Sequence, residues 1–535
     1  MQFETYTFPS RRSAIVARNG MVATSQPLAA QAGLDILKAG GNAVDAAIAT
    51  AATLCVVEPH STGIGGDAFA LIWSAKESKL YGLNASGPAP QNLTAEFLRS
   101  QGYETFPELG GLPVTVPGSL RGWQIALERF GSLGLEVLLQ RPLTYARDGF
   151  PLSQRIARAW QENEAKLTAH PDSNRVWLSN TRAPKAGELF VNPEFACTLQ
   201  TISTHGVEAF YMGELAKQIV DCVQAAGGLL NMADLANYQA QWVEPISLNY
   251  DDQFTFYEIP PNGQGLTALL AFNMARQFDL QALGFGTPEY YHALIEVMKL
   301  AFMDAKKFIA DPLHVAVPID GLLNETYAVD RWGLIQPQNA LQPFPGQPQA
   351  FGDTVYLTAA DAEGNMVSWI QSLYMGFGSG LTAGKTGILL HNRGANFSLE
   401  VGHANEAAPG KRPYHTIIPG FITKNGHAWS SFGVMGGFMQ PQGHLQVGLN
   451  LVEFGMDPQT ALDAPRFRWV QNKEVALETA VAPNIQQKLA AWGHEIDTSA
   501  APNQFGGGQV IMRDPATGVL IGGSEPRNDG TAVGW

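Results

Sequence analysis

The stretch Phe351–Tyr356, FGDTVY, opens the region that decides the fold, and the residues after it, LTAADAEGNMVSWIQSLY, continue as a predicted β-hairpin. TVYLTAA is rich in the β-branched and aromatic residues of strands, DAEGN has the composition of a turn, and MVSWIQSLY predicts the returning strand. If DAEGN forms the loop, Ala360 faces Met366 and Thr354 lies opposite Ser372. The pattern therefore predicts two hydroxyl groups within cross-strand reach of each other.

This Thr–Ser pair has two interpretations. Cross-strand pairs of this kind stabilise many sheets without any chemistry, and the pairing alone favours that interpretation. A threonine hydroxyl needs an adjacent base to act as a nucleophile, and no G-x-S-x-G motif surrounds this one. Cleavage between Asp353 and Thr354 would supply the base, because a free α-amino group has a pKa of about 8 and is partly neutral at cellular pH.

The segment before the hairpin differs in composition from its surroundings. Residues Leu334–Gly352, LIQPQNALQPFPGQPQAFG, contain many Pro and Gln and little charge, which predicts an extended, exposed linker. The linker ends a helix-rich part, residues 1–353, and a smaller strand-rich part follows, residues 354–535. Near the start of the chain, apolar residues at helical spacing within residues 20–60 predict two helices separated by a Gly-Gly pair.

A Gly-Gly pair also follows the hairpin. The sequence SSFGVMGGFMQPQGHLQVGLNLVEFG predicts an apolar strand that ends at Gly436 and Gly437, with a helix soon after. Adjacent glycines leave backbone N–H groups free to bind an oxyanion, which the tetrahedral intermediate of acyl transfer requires. A plain strand-to-helix turn is the commoner explanation of one such pair, so the motif gains meaning only together with the two hydroxyls.

The composition argues against several classes of function. The 535-residue chain has a net charge of −14 and no basic run, which argues against nucleic-acid binding and against an anionic membrane surface. Its three cysteines lie far apart and its eleven histidines show no paired ligand spacing, so we expect neither a disulfide framework nor a metal hydrolase. The N-terminal residues lack the apolar stretch of a secretory signal, and we expect a cytoplasmic protein.

One motif favours a different class of enzyme. Residues Gly63–Ala68, GIGGDA, match the G-x-G-x-x-A pattern of dinucleotide-binding oxidoreductases. No strand–turn–helix unit surrounds the motif, and no acidic residue follows it at the expected distance, so the context argues against a nucleotide site. Asp67 within this motif is interpreted as the cap of a turn rather than as a substrate contact.

Together, the motifs resemble those of the γ-glutamyltransferases (γ-glutamyltranspeptidases), which belong to the N-terminal nucleophile hydrolases. The resemblance covers nearly the whole chain and keeps the family's order: GGNAVDAAIATAATLCVVEPHSTGIGGDAF, TVPGSLRGW, YARDGF, GDTVYLTAADAEGNMVS, GFGSG, GILLHN, GKRPYHTIIP and GVMGG. Several long motifs in one order make this a specific match, which a single motif would not be.

The resemblance implies an α+β fold, the αββα sandwich of these hydrolases, in a proenzyme that cuts itself into a large and a small subunit. It implies that Thr354 forms the acyl-enzyme and that Ser372 hydrogen-bonds its hydroxyl. Gly436 and Gly437 match the family's oxyanion pair, and Asp353 precedes the cut. The resemblance implies no metal and no cofactor, a small-molecule amide as substrate, and the two subunits of one precursor as partners; a dimer of such pairs is left open.

Departures from the family pattern fall on the groups that bind the glutamyl substrate. Where the family has Arg in R-E-x-A-P, this chain has Ser86 in NASGPAP, and where the family has Asp in D-F-S, it has Asn396. A Ser-Ser pair after K-R-P-x is His415-Thr416 here, and the polar residue two positions beyond the second hydroxyl of the hairpin is Tyr374. These changes remove the charged partners of the glutamyl α-carboxylate and α-amino groups.

Arg393, three residues before Asn396, is interpreted equally as a contact for a substrate carboxylate and as a solvated loop charge. We expect a hydrolase, rather than a transferase, that cleaves an amide of a small dicarboxylic acid without an α-amino group; cephalosporin (glutaryl) acylases and oxamate amidohydrolase are relatives with altered recognition. The alternatives are an authentic γ-glutamyltransferase (glutathione hydrolase) and an unprocessed, non-catalytic binding protein. Retention of both hydroxyls and the Gly-Gly pair argues against the latter.

Overall fold

The structure, a computed structural model, describes residues 12–343 and 353–535. These residues form two antiparallel sheets of seven strands each, stacked face to face with helices on the outside. The described strands are β1 (Ile15–Ala17), β2 (Gly20–Thr24), β3 (Asp67–Ser74), β4 (Lys79–Ala85), β5 (Phe150–Pro151), β6 (Leu189–Phe190), β7 (Gln241–Val243), β8 (Ile246–Asn249), β9 (Phe254–Glu258), β10 (Asp353–Asp361), β11 (Met366–Tyr374), β12 (Gly420–Lys424), β13 (His427–Met435), β14 (Phe467–Gln471), β15 (Glu474–Leu477), β16 (Glu495–Asp497), β17 (Gly507–Arg513), β18 (Leu520–Ser524) and β19 (Thr531–Gly534).

The described helices are α1 (Pro27–Lys38), α2 (Ala43–Val57), α3 (Ala95–Ser100), α4 (Ser119–Phe130), α5 (Leu135–Leu138), α6 (Gln140–Asp148), α7 (Gln154–Glu162), α8 (Glu164–Thr168), α9 (Pro171–Trp177), α10 (Pro193–His205), α11 (Glu208–Met212), α12 (Glu214–Ala225), α13 (Met232–Ala236), α14 (Gly265–Ala275), α15 (Leu280–Leu283), α16 (Pro288–Phe308), α17 (Ile319–Leu322), α18 (Glu325–Trp332), α19 (Met439–Val452), α20 (Pro458–Asp463) and α21 (Pro483–Ala491), with short 3-10 helices at Arg393–Asn396 and Pro502–Phe505. Within the described ranges, no helix combines the length and the apolarity that a bilayer crossing requires.

The two large sheets mix strands from both parts of the chain. One sheet has the order β1-β18-β17-β13-β12-β9-β8 and the other β19-β2-β10-β11-β3-β4-β7. The hairpin β10–β11 therefore lies in the middle of the second sheet, between β2 and β3 from the helix-rich part. The two parts that the composition distinguishes both contribute residues to each of the two large hydrophobic clusters. The layered α+β arrangement agrees with the expected sandwich.

The hairpin alternates its side chains between two hydrophobic layers, as a strand buried on both faces must. Val355 and Leu357 pack with helices α1 and α2, whereas Tyr356 and Ala360 pack between the sheets. Because a shift of one residue would exchange the two layers, this alternation fixes the register of the hairpin.

The two helices predicted within residues 20–60 are confirmed as α1 and α2. Asn42 caps α2, and its side chain and that of Asp45 form a reciprocal capping box. The N–H of Ala43 donates to Asp361 Oδ2 at 3.0 Å, which joins the start of this buried helix to the turn of the hairpin. Helix α2 therefore runs along the outer face of the strands that carry the site.

The expected linker is partly described. Residues 334–343 are mostly exposed, and hydrogen bonds of their backbone anchor them: Ala340 N donates to the carbonyl of Trp492 at 2.7 Å, and Leu341 N donates to the side-chain Oε2 of Glu296 at 2.9 Å. Residues 344–352 of the predicted linker lie outside the described residues.

The sheets approach closely at Gly433 of β13. A Cβ atom at this position would overlap the ring of Tyr356, which projects from β10 of the opposite sheet. The spacing of the two sheets near the site therefore depends on residue 433 being a glycine, which has no side chain.

Gly433→Ala should force this ring or the strands apart, and we expect it to lower the free energy of unfolding by about 1–3 kcal/mol. Urea denaturation followed by tryptophan fluorescence measures the change. Gly321→Ala is the matched control, because its Cβ would meet no atom closer than 4.0 Å and the residue is exposed in α17. Equal stability of the two variants would contradict this account of the packing.

Candidate active site

Thr354 lies at an irregularity of the hairpin. The predicted register holds from Val355 onward, but it shifts between Asp353 and Val355, so that Asp353 pairs with Tyr374. Thr354 is buried at this bulge, and its Oγ1 donates a hydrogen bond to Ser372 Oγ at 3.2 Å. The predicted proximity of the two hydroxyls is confirmed, although a bulge rather than a regular strand pair brings them together.

Ser372 joins the Thr354 hydroxyl to the peptide bond that precedes it. Its Oγ donates to the carbonyl oxygen of Asp353 at 2.7 Å and accepts a hydrogen bond from the N–H of Tyr374, also at 2.7 Å. One donated and two accepted bonds use the full capacity of a hydroxyl group. The backbone groups of Asp353 and Tyr374 therefore fix the direction of these hydrogen bonds. Thr354 donates to Ser372, and Ser372 donates to the carbonyl of Asp353.

The predicted strand, Gly-Gly turn and helix are confirmed: β13 ends at Met435 and α19 begins at Met439. Gly436 and Gly437 have φ angles of +124° and +59°, in the left-handed region that favours glycine. Gly436 lines the same cavity as Thr354. Gln264, which the sequence did not single out, donates from Nε2 to Gly437 O at 2.9 Å and so supports the turn. The oxyanion role of the pair stays a prediction.

The cavity beside Thr354 has a volume of about 360 Å³ and is rich in carboxyl groups. They come from four separate elements: Glu58, Glu162, Asp353 and Asp529. Burial raises the pKa of Asp353 to about 6, and the nearby ammonium of Lys166 opposes this shift. Lys166 is itself held by the carbonyl of Gly376 at 2.6 Å.

Glu58 is the most perturbed of these carboxyl groups. It follows the last residue of α2, is buried, and accepts a hydrogen bond from Ser25 Oγ at 2.6 Å. Burial raises its pKa to about 8, although the Ser25 bond opposes the rise. The sequence analysis missed Glu58, and its position at the end of a mostly apolar helix was the one available signal.

Arg393 is fully buried, so its interpretation as a solvated loop charge is wrong. Its Nη1 donates to Thr416 Oγ1 at 2.8 Å, and its Cζ lies 4.4 Å from the centroid of the Tyr374 ring. Its Nε and Nη2 have no hydrogen-bond partner among the described residues. Burial lowers the pKa of Arg393 to about 10, which leaves it charged at neutral pH. A buried cation with two nitrogen donors that lack a partner is suited to an anionic ligand.

The remaining candidate residues differ in their surroundings. Asn396 lies on the same 3-10 helix as Arg393, and its Nδ2 has no partner within the described ranges. Ser86 has a structural environment, because its Oγ donates to Asn84 Oδ1 at 2.7 Å and its carbonyl accepts from Arg412 Nε at 2.9 Å. Ser86, which the sequence comparison placed where the family has Arg, is therefore used in hydrogen bonds within the protein.

Asp67 does not cap a turn, contrary to the prediction. Its Oδ2 lies 3.0 Å from His415 Nε2 and 3.3 Å from His391 Nδ1, and its Oδ1 accepts from Gly87 N at 3.1 Å. Burial alone would raise the pKa of Asp67, but the two rings lower it below its ordinary value. Burial and the charge of Arg393 lower the pKa of His415 to about 3. The His415 side chain is thus committed to Asp67, and only its neighbour Thr416 reaches Arg393.

A second buried cluster has ligand-type side chains. His292, Glu296 and His494 bring their donor atoms within 4.8 Å of one another, in a grouping that could hold a metal ion. The ammonium of Lys299 already lies 2.8 Å from Glu296 Oε1, and His292 Nε2 lies 2.9 Å from the carbonyl of Gln336. The cation of this cluster is therefore a lysine, and the cluster anchors the segment before residue 343.

A family model described as gamma-glutamyltranspeptidase matches residues 29–535 of the chain. The chain belongs to the gamma-glutamyltranspeptidase family. It is 36% identical to the "Glutathione hydrolase-like YwrD proenzyme" of Bacillus subtilis, over 97% of this chain and 99% of the relative. It is 34% identical to "Acylase ACY 1 proenzyme" of Pseudomonas sp. (strain V22), over 98% and 95% of the two chains.

Among solved structures, the cephalosporin acylase from Bacillus halodurans superposes with a TM-score of 0.93 and 49% identity, over 100% of this chain and 99% of that one. The chain is therefore an enzyme of the gamma-glutamyltranspeptidase family with the N-terminal nucleophile hydrolase fold, as the resemblance implied. Its relatives are hydrolases and acylases made as proenzymes.

Asp67→Asn should leave the two histidine rings and the Gly87 N–H without their shared anion. We expect the free energy of unfolding to fall by about 1–3 kcal/mol, because removal of a hydrogen-bonded carboxylate leaves buried polar groups without their full complement of partners. Urea denaturation at pH 7 measures the loss.

Asp35→Asn is the control, since Asp35 pairs with Arg141 on the surface and both are about half exposed. A surface pair of this kind contributes at most about 1 kcal/mol. A loss for Asp67→Asn no larger than that for Asp35→Asn would contradict the structural role of the cluster.

Proposed function

We propose that this chain is a self-processing amidohydrolase whose nucleophile is the hydroxyl of Thr354. One observation carries the proposal: Ser372 Oγ bridges Thr354 Oγ1 at 3.2 Å and the carbonyl oxygen of Asp353 at 2.7 Å. The same hydroxyl thus contacts a nucleophile and the carbonyl group that it would attack. A pair placed only to stabilise the sheet has no need of the third contact.

Self-cleavage begins with attack of Thr354 Oγ on the carbonyl carbon of Asp353. The Thr354 proton passes to Ser372 Oγ while Ser372 gives its own proton to the carbonyl oxygen, so the new tetrahedral carbon carries a hydroxyl group. As this intermediate collapses, its hydroxyl group loses a proton, the Thr354 nitrogen takes one up and the C–N bond breaks. Asp353 is left as an ester on Thr354, which now has a free amino group. Water then hydrolyses the ester and yields subunits of residues 1–353 and 354–535.

Turnover uses the amino group that the cut creates. The free α-amino group of Thr354 has an ordinary pKa of about 8 and accepts the proton of its own hydroxyl. The hydroxyl attacks the substrate amide, and the backbone N–H groups at Gly436 and Gly437 stabilise the oxyanion. The amine leaves, and water releases the acid from the acyl-enzyme.

The acyl group is proposed to carry a second carboxylate, which Arg393 binds. The support is the buried guanidinium, whose Nε and Nη2 lack partners among the described residues, together with Asn396 Nδ2, which lacks one as well. Asn396 stands where the family has the Asp that binds the ammonium group of the substrate. Because Asn is neutral, a substrate with an α-amino group would find no opposite charge at this position. The substrate is then an amide of a small dicarboxylic acid, and water is the acceptor.

Thr354→Ala should leave the precursor uncut, because no nucleophile remains. The native protein should give two pieces of about 38 and about 20 kDa, in proportion to the 353 and 182 residues of a 57.6 kDa chain. Ser372→Ala should slow the cut about 100-fold or more, since one donor to the carbonyl oxygen is lost. Intact-mass measurement over time after synthesis checks both variants.

Ser499→Ala, which removes an exposed hydroxyl bonded to Asp497, is the control and should be cut at the native rate. Cleavage of Thr354→Ala, or a native chain that stays whole, would contradict the proposed nucleophile.

Arg393→Met should lower kcat/KM for a glutaryl anilide about 10- to 100-fold, because a charge-assisted hydrogen bond contributes about 1.5–3 kcal/mol. The butyryl anilide, which lacks the distal carboxylate, is the matched substrate and should be affected little. Because Arg393→Met also removes the bond to Thr416 and the contact with the Tyr374 ring, the butyryl substrate serves as the control for any general disturbance of the site. A native preference for the γ-glutamyl anilide, or equal losses on both acyl groups, would contradict the carboxylate pocket.

A further inference from the structure

The cavity beside Thr354 contains a carboxyl group that the proposed steps leave unused. Glu58 has only 4% of its surface exposed, and its Oε2 is held by Ser25 Oγ at 2.6 Å. It lines the same cavity as Asp353 and Thr354, the two residues of the bond to be cut.

The backbone after Glu58 is fixed against the hairpin that carries the site. The N–H of Leu373 donates to Ser61 O at 3.0 Å, and the N–H of Phe377 donates to His60 O at 2.8 Å. Because Leu373 directly follows the hydroxyl that contacts the scissile carbonyl, the turn 58–61 and the reacting peptide bond keep one relative position.

Two carboxyl groups of this cavity, Glu58 and Asp353, differ in protonation. Burial raises the pKa of Glu58 to about 8, the Ser25 bond opposes this, and the charges of Asp529 and Asp353 add to it. Glu58 is therefore a neutral acid at neutral pH, whereas Asp353, with a pKa of about 6, is largely ionised. When the surroundings give two carboxyl groups of one site different pKa values, one is suited to donate a proton and the other to accept one.

We propose that Glu58 is the acid that protonates the Thr354 nitrogen during self-cleavage. The C–N bond breaks only if this nitrogen takes up a proton, because an amide anion is a very poor leaving group. Glu58 gives its proton to the nitrogen as the bond breaks. The tetrahedral hydroxyl loses its proton to the Glu58 carboxylate as the ester carbonyl forms, so the acid is restored. This inference rests on the proposed function.

Other ionisable groups face the same cavity from several elements, and the charges of two of them, Asp529 and Asp353, raise the Glu58 pKa. These groups are His60 of the turn after α2, Arg155, Arg158 and Glu162 of α7, Asp353 of β10, and Asp529 before β19. Glu162 is bonded to Arg158 at the surface, at 2.9 Å. It offers a carboxyl control that lines the cavity outside the proposed proton path.

Glu58→Gln tests the proposal, because the amide keeps an oxygen that can accept the Ser25 bond but has no acidic proton. The rate of cleavage is followed by intact mass from the end of cell-free synthesis, between pH 6 and pH 9. The native rate should fall as the pH rises through about 8, where Glu58 ionises. The Glu58→Gln precursor should be cut at least about 10-fold more slowly, a smaller factor than the rate enhancement that general acids usually provide. Its cleavage rate should no longer fall as the pH rises through about 8. Glu162→Gln should keep the native rate and profile.

Ser25→Ala provides a second test that leaves the carboxyl group in place. Loss of this hydrogen bond should raise the Glu58 pKa, so the alkaline fall should move to higher pH. A native rate for Glu58→Gln, a slower rate with an unchanged pH profile, or an unmoved fall in Ser25→Ala would each overturn the proposal. If Thr354→Ala is still cut, the proposed function fails first; if it is uncut while Glu58→Gln is native, only the role of Glu58 fails.

Discussion

The hydrogen-bond chain from the Thr354 hydroxyl through Ser372 to the Asp353 carbonyl is the constraint on which the site depends. A regular strand pair would set the two side chains side by side but would leave the carbonyl group bonded within the ladder. The bulge between Asp353 and Val355 displaces that carbonyl toward Ser372. The central position of β10 and β11 then holds this distortion, because β2 and β3 pair with the hairpin on both sides.

Burial gives the surrounding charged groups their chemical character. A carboxyl group without a cation becomes a neutral acid in such an interior, as Glu58 does, whereas Asp67 stays ionised beside two imidazole rings. Arg393 has neither solvent nor a carboxylate bonded to it among the described residues, so its charge is compensated only in part. Glu58 lines the cavity beside Thr354, whereas Arg393 packs against Tyr374, the strand partner of Asp353.

Much of this arrangement could be predicted from local sequence patterns. The hairpin, its register, the pair α1 and α2, and the Gly-Gly turn each arise within a short stretch, where periodicity and turn residues decide the structure. The bulge at Thr354 could not be predicted, because it depends on contacts with residues 18 to 20 positions away. Asp67 was wrongly interpreted as a cap for the same reason: its partners His391 and His415 follow more than 300 residues later. Glu58 and the burial of Arg393 likewise became visible only when the chain was folded.

The most direct test of the central claim is the location of the acyl group during turnover. The processed enzyme is mixed with glutaryl anilide, quenched in acid within the first turnovers, digested and examined by peptide mass mapping. The account predicts a glutaryl ester on the peptide that begins at Thr354, removable by hydroxylamine and formed more slowly in Arg393→Met. An adduct on any other residue, or turnover with no covalent intermediate under conditions that trap esters, would contradict the assignment of Thr354 as the nucleophile.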